Sequence, residues 1–160
     1  MLGSMLENRL DYSAENCSLM RTLKIVGERW TLLVLREAFL GLRRFDDFQR
    51  AIGCARNVLT ARLERLVEHE ILERVPYREP GMRRRDEYRL TKKGMDLATA
   101  TIALLQWGDR YVADTAGPPV IAVHGACGRP VRALLACQQH GEVTPYHVRS
   151  IAGPGAKKIA

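Results

Sequence analysis

Apolar side chains in this chain hold the spacing of a helix through four short runs, and at Ile71 that spacing changes to the spacing of a strand. The first run, from about Cys17 to Val26, aligns Leu19, Leu23 and Val26, with Asn16 as its cap and Gly27 as its stop. From Glu28 to Leu40, Trp30, Leu33, Val34 and Ala38 make one inward stripe that ends at Gly41. Asp46 to Ile52 reads as a short third helix with two acids in its first turn, Phe45 and Phe48 facing inward and Gly53 at its end. The fourth, from about Arg56 to Glu70, buries Leu59, Leu63, Leu66 and Val67 and is polar on its other side. Ile71 to Tyr77 and Asp86 to Leu90 then read as two strands joined through a turn at Glu79-Pro80-Gly81. The expected fold is mainly helical with one β-hairpin.

Thr91 caps what reads as a single long helix from Lys92 to about Ala113. Leu97, Thr101, Leu105 and Val112 form its inward stripe, and Leu104, Trp107 and Tyr111 widen the apolar surface beyond what one core face needs. A helix so broadly apolar requires a second partner, so these three residues are expected to meet Leu19 and Leu23 in a homodimer interface. Gly117-Pro118-Pro119 is a linker to short β-like pieces, Val120 to Val123 and Val131 to Leu135. The chain thus divides into an N-terminal arm (1–15), a main domain (16–115), a small β-rich module (120–152) and a tail (153–160) expected to be disordered. Met5 is as plausible a start as Met1, so the first five residues receive no structural role.

Of 25 basic and 18 acidic residues, eleven basic and seven acidic fall between positions 56 and 93. That local excess points to a polyanionic partner more strongly than the net charge of +7 does. No apolar run approaches the roughly 18 residues of a membrane span, and the acidic start lacks a signal-peptide core, so a cytoplasmic protein is expected. Catalytic signatures are missing too: His69-Glu70-Ile71-Leu72-Glu73 lacks the second histidine of a zinc protease, and no phosphate loop or dinucleotide fingerprint occurs. The segment from His124 to His140 likewise lacks the deaminase elements. The chain is therefore not expected to be an enzyme.

Short helices followed by a hairpin are the order of a winged helix-turn-helix, whose last short helix enters the major groove of DNA. On that reading Arg56, Asn57, Thr60, Ala61, Arg62 and Arg65 face the groove: arginine bonds guanine, asparagine bonds adenine, and alanine allows close approach. Arg83, Arg84 and Arg85 occupy the wing, taken as residues 78–88, where three consecutive side chains cannot all pack on protein. Lys92 and Lys93 sit in the first turn of the next helix, where nearby phosphate would offset the unfavourable helix dipole. An adaptor that kept this scaffold but lost DNA binding is the rival reading.

Cys17, Val26-Gly27-Glu28-Arg29-Trp30-Thr31, Arg44-Phe45-Asp46-Asp47-Phe48, Leu59-Thr60-Ala61-Arg62-Leu63, Gly81, Tyr88-Arg89-Leu90-Thr91-Lys92-Lys93-Gly94 and Trp107-Gly108 together resemble the HxlR-type transcriptional regulators. The likeness covers roughly residues 15 to 112. It implies a homodimer joined through the first and last helices of the domain, bound to an inverted repeat, usually as a repressor or activator. Cys17 matches a position where some members sense oxidants or electrophiles, and Cys54 lies at the turn before the fourth helix. Arg21 and Lys24 could activate the Cys17 thiol, whereas a plain packing role is the alternative.

His124-Gly-Ala-Cys127-Gly128 and Cys137-Gln-Gln-His140-Gly141 both have the form of a zinc knuckle. Two such pairs suit one structural tetrahedral zinc in a ribbon-like module, which also resembles the C-terminal extension of some HxlR-type proteins. There the second knuckle ends in cysteine, so His140 departs from the pattern. A metal-free module that packs on the dimer or binds a small ligand is the alternative.

Overall fold

The computed structural model describes residues 9–159 apart from Glu79 and Met82. The first residues of the arm, Glu79 of the turn and Ala160 lie outside that description. The main domain runs α1 (Ser18–Val26), α2 (Arg29–Phe39), α3 (Phe45–Ile52), α4 (Arg56–Glu68), β1 (Leu72–Tyr77), β2 (Arg85–Leu90), α5 (Lys92–Met95) and α6 (Ala98–Tyr111). It is a winged helix-turn-helix fold, mainly helical with one antiparallel hairpin. Its core lies where α2, α3 and α4 meet: Val34, Leu35, Phe48, Leu59, Leu63 and Leu66 are all but fully buried. The helical periodicities of the sequence account for every one of these except Leu35.

Two helix ends differ from expectation. Asn16 does not cap α1; Cys17 takes the cap position without a side-chain bond, and the Asn16 amide donates to the Gly155 carbonyl at 2.8 Å. At the end of α4, Glu70 adopts a left-handed φ of 57°, while the Ile71 N–H donates to Leu66 O at 2.8 Å and the Glu70 N–H to Val67 O at 2.9 Å. This pair of bonds is a Schellman closure, normally built on glycine. It stops α4 at Glu68 and turns the chain directly into β1.

β1 and β2 pair from Leu72↔Leu90 to Tyr77↔Arg85. The hairpin is fastened to the helices by an isolated bridge between Arg44 and Glu87, with the Tyr88 N–H donating to Arg43 O at 2.7 Å. Thr91 caps α5 as expected, its hydroxyl oxygen accepting from the Gly94 N–H at 3.0 Å. The helix expected from Lys92 to Ala113 is, however, two helices. At Leu97 the backbone bond returns to Gly94 O, three residues back, and α6 starts afresh. Val112, expected to face inward, is exposed at the end of α6.

The strands expected at 120–123 and 131–135 reduce to one bridge, Val123↔Pro130; the paired strands are β3 (Leu135–Cys137) and β4 (Gly141–Val143). Beside that bridge the Val131 N–H donates to Ala122 O at 2.9 Å, and Gln106 of α6 engages the backbone groups that follow. Its amide donates to Val131 O at 2.7 Å and accepts from the Ala133 N–H at 2.9 Å, supplying both bonds a neighbouring strand would have made. The tail, expected to be disordered, instead runs beside the arm: Ser13 N–H bonds Lys157 O at 2.9 Å and Ile159 N–H bonds Asp11 O at 2.7 Å.

Gly94 is pinned where α5 meets the end of α4. A β-carbon there would stand 2.2 Å from the Ile71 carbonyl oxygen, whereas one at Gly53 would meet open space and carry only the strain of its φ of 71°. Gly94→Ala should therefore lower unfolding free energy by about 3 kcal/mol or more through overpacking, and Gly53→Ala by about 1–2 kcal/mol through left-handed strain. Urea titrations of the two variants compare them directly; equal losses would remove the backbone clash as the cause.

Candidate nucleic-acid interface

Burial of one side of α4 leaves the other to solvent, and the exposed side carries Asn57 and Ala61, with Arg56 exposed at the first turn and Thr60 half-buried between them. Ala55, the cap residue, offers no side-chain acceptor, so the first amides of α4 lack a capping oxygen and suit an anion. The Arg56 guanidinium lies 4.5 Å from the Phe45 ring centroid, donates to Gln49 Oε1 at 3.1 Å and pairs with Asp46 Oδ1 at 3.5 Å. The Thr60 hydroxyl is turned back onto Arg56 O at 3.0 Å.

Asp46 joins helix to wing. Its second oxygen, Oδ2, lies 3.6 Å from Arg85 Nη1, so one carboxylate faces an arginine of α4 and an arginine of β2. All three side chains are more than half exposed, so each pair contributes little to stability, within about 1 kcal/mol. Its effect is geometric: it sets the two cations on one surface. Arg83 and Arg84 follow on the exposed loop, and neither has an ion-pair partner among the described residues. Lys92 and Lys93 are exposed beside acids, at 3.4 Å from Asp96 and 3.7 Å from Glu70.

Two arginines expected to face the groove bond to protein in the free chain. Arg65 donates to Ile25 O at 3.3 Å and to Lys24 O, carbonyls at the end of α1 that lack helical partners. Arg62 pairs with Glu28 Oε2 at 2.6 Å and is mostly covered, its Nε buried without a partner. Both hold α4 to the α1–α2 corner rather than facing outward. The sequence signal for this was present: Gly27 stops α1 and frees its last carbonyls, and Glu28 stands next to it. Beyond the second turn, exposed Glu64 and Glu68 limit the anion-accepting stretch of α4 to its amino-terminal half. Gln49 and the bridging role of Asp46 were not read from sequence, because neither follows from helical period.

The apolar residues expected at an interface are indeed uncovered within one chain. Leu19, Leu23, Leu104, Trp107 and Tyr111 are each more than half exposed, and the Trp107 and Tyr111 rings stand 5.4 Å apart. Cys17 is half-buried at the start of α1, and Cys54 is buried in the core. In the module, His124 Nδ1 lies 3.3 Å from Cys127 Sγ, and Cys137 Sγ lies 3.4 Å from His140 Nδ1. Each knuckle closes on itself. Among the described residues no three such donors converge.

A family model described as HxlR-like helix-turn-helix matches residues 25–116. An HTH-type transcriptional regulator of Mycobacterium tuberculosis is 45% identical over 149 residues, covering 92% of this chain and 93% of that protein. An alignment that long extends into the C-terminal module. The solved structure of the transcription factor PA1607 superposes with a TM-score of 0.73 at 36% identity, covering 84% of this chain and 94% of that one. The redox regulator HypR in its oxidised form gives 0.56 at 25% identity, covering 61% of this chain and all (100%) of that one. Among the described residues no helix is long and apolar enough to cross a membrane.

Since Arg65 satisfies carbonyls of α1 while Arg56 faces solvent, Arg65→Ala should cost about 1–3 kcal/mol of stability and Arg56→Ala within about 0.5 kcal/mol. Chemical denaturation of both variants checks this, and an Arg56→Ala loss as large as that of Arg65→Ala would contradict the assignment.

Proposed function

The chain belongs to the HxlR-like helix-turn-helix family, and from that membership we propose that it is a sequence-specific transcriptional repressor that binds an inverted-repeat operator as a homodimer. The observation that carries the reading is the single surface formed by Arg56, Arg85 and the Asp46 carboxylate between them, continued by Arg83 and Arg84. On it, Arg56, Asn57 and Ala61 read base edges from the first two turns of α4, and the wing follows phosphate. Phosphate contacts raise affinity for any sequence, while base contacts discriminate. Lys92 and Lys93 add to the phosphate contacts if DNA displaces their acidic partners. Leu19, Leu23, Leu104, Trp107 and Tyr111 join two copies, which gives the operator its two-fold symmetry. Such a protein works in the cytosol and carries out no chemistry of its own.

A second reading adds redox control. The likeness to HypR, a redox regulator, favours it, as does the half-buried Cys17 at the start of α1, on the helix that bears the interface leucines. Oxidation of Cys17 would then alter the dimer and release DNA. Loss of operator binding under mild oxidant should disappear in Cys17→Ser; a loss of the same size in the variant assigns sensing elsewhere.

Fluorescence anisotropy on an operator selected from random duplexes tests the main reading. Affinity should fall steeply with salt, Arg84→Ala should reduce the salt slope by about one while weakening all sequences alike, and Arg56→Ala should relax preference at one base pair by about 1–3 kcal/mol. Salt-independent binding, or none in dilute buffer, would leave the adaptor reading in its place. Trp107→Glu should sediment as a monomer and bind the full operator at least about a hundredfold more weakly. A dimer that survives this substitution would refute the proposed interface.

A further inference from the structure

α6 presents three different faces. Gln106 bonds the module, Trp107 and Tyr111 point away from the chain, Ala98, Ile102 and Leu105 face α2, and Leu104 lies at the edge between those last two faces. Between that last face and α2 lies a cavity of 760 Å³. α2 contributes Leu33, Leu40 and Arg36, and residues 120–123 of the module form a third wall. Apolar carbon dominates the lining, and a cavity of this size matches the range of about 300–1,000 Å³ that encloses small molecules. Its one charged lining residue is Arg36, whose Nε and Nη2 both engage the buried Glu37 carboxylate, leaving Nη1 as the donor for an incoming group.

We propose that this cavity is an effector site for an apolar monoanion, an aromatic or aliphatic body bearing one carboxylate or phenolate, and that occupancy changes affinity for DNA. The body lies among Leu33, Ile102, Leu105 and the 120–123 segment, and the acidic group meets Arg36. A second copy of the chain is the other occupant to consider. The centre of the face formed by Ala98, Ile102 and Leu105 lies about 165° around α6 from the Trp107–Tyr111 face, taking 3.6 residues per turn. A copy seated on Trp107 and Tyr111 therefore meets the cavity only at its Leu104 edge and leaves the Leu33, Ile102 and Leu105 walls open. Coupling to DNA follows from the packing: the opposite side of α2, through Val34, Leu35 and Ala38, belongs to the same core as Leu59 and Leu63 of α4. A ligand wedged between α2 and α6 thus shifts α4 relative to the face that joins the dimer. This regulatory part rests on the function proposed above.

Anilinonaphthalenesulfonate, an apolar body with one anionic group, is a suitable probe for the full-length protein. Its fluorescence should rise saturably with one site per chain, and aromatic monocarboxylates should displace it. Ala98→Trp and Ala122→Phe fill the cavity from opposite walls; either should weaken probe binding at least tenfold while circular dichroism and affinity for duplex DNA are retained. Saturating displacer should change the affinity for DNA by between about five-fold and about 150-fold, the usual span of coupling between two sites. Absence of saturable binding, or equal binding by both filled variants, would overturn the site. So would probe binding that grows as the dimer is diluted into monomers, since a second copy would then fill the cavity. Probe binding with no attraction to DNA upholds the site and defeats the functional reading, whereas DNA binding without probe binding does the reverse.

Discussion

The contact between α2 and α4 is the constraint from which the rest follows. Leu59, Leu63 and Leu66 meet Val34, Leu35 and Phe48 at the centre of a core that Val26, Ala38, Cys54, Ile71 and Leu72 complete. Each buried leucine contributes about 1.5–3 kcal/mol, so this small group supplies much of what opposes chain entropy. Because all of it lies on one side of α4, the remaining side is left without a packing role. A helix anchored along one stripe and free along the other can be pressed into a groove without disturbing its own support.

Arginine serves two purposes on the same helix. Arg65 and Arg62 are used inward, on the last carbonyls of α1 and on Glu28, where a long flexible stem and several donors satisfy groups that helix geometry leaves unpaired. Arg56 is stacked on Phe45 and steadied by Gln49 and Asp46, so less of its side-chain freedom remains to be lost on binding. Among the described residues the wing arginines Arg83 and Arg84 have no such support, and they suit a partner whose position is less sharply defined.

Much of the domain was legible because helix and strand periods differ, and because glycines stand at the helix ends. Leu59, Leu63 and Leu66 were identified by spacing alone, as was the hairpin. The exposure of Leu104, Trp107 and Tyr111 followed from a helix too apolar for one face. What spacing could not supply was the use of polar residues. Arg62, Arg65 and Arg56 look alike in a helical projection, and only the position of free carbonyls on another helix separates them. The break at Leu97 was hidden for a similar reason: Thr91 and Gly94 are governed by the close approach of Ile71 O, a contact distant in sequence. In each of the two knuckles the histidine and cysteine that spacing paired do meet, at 3.3 Å and 3.4 Å.

Gln106 attaches the module through one primary amide, which copies the edge of a β-strand with a side chain borrowed from a helix. Attachment of this kind asks almost nothing of the domain that provides it, because no backbone geometry in α6 is altered to make it. A winged-helix protein could gain or lose such an appendage with few changes to its own body. The coverage of the solved relatives fits that economy: HypR matches along its entire length to 61% of this chain, while PA1607 matches 84%. Appendages joined by so slight a fastening are the natural raw material for giving one reading head many different inputs.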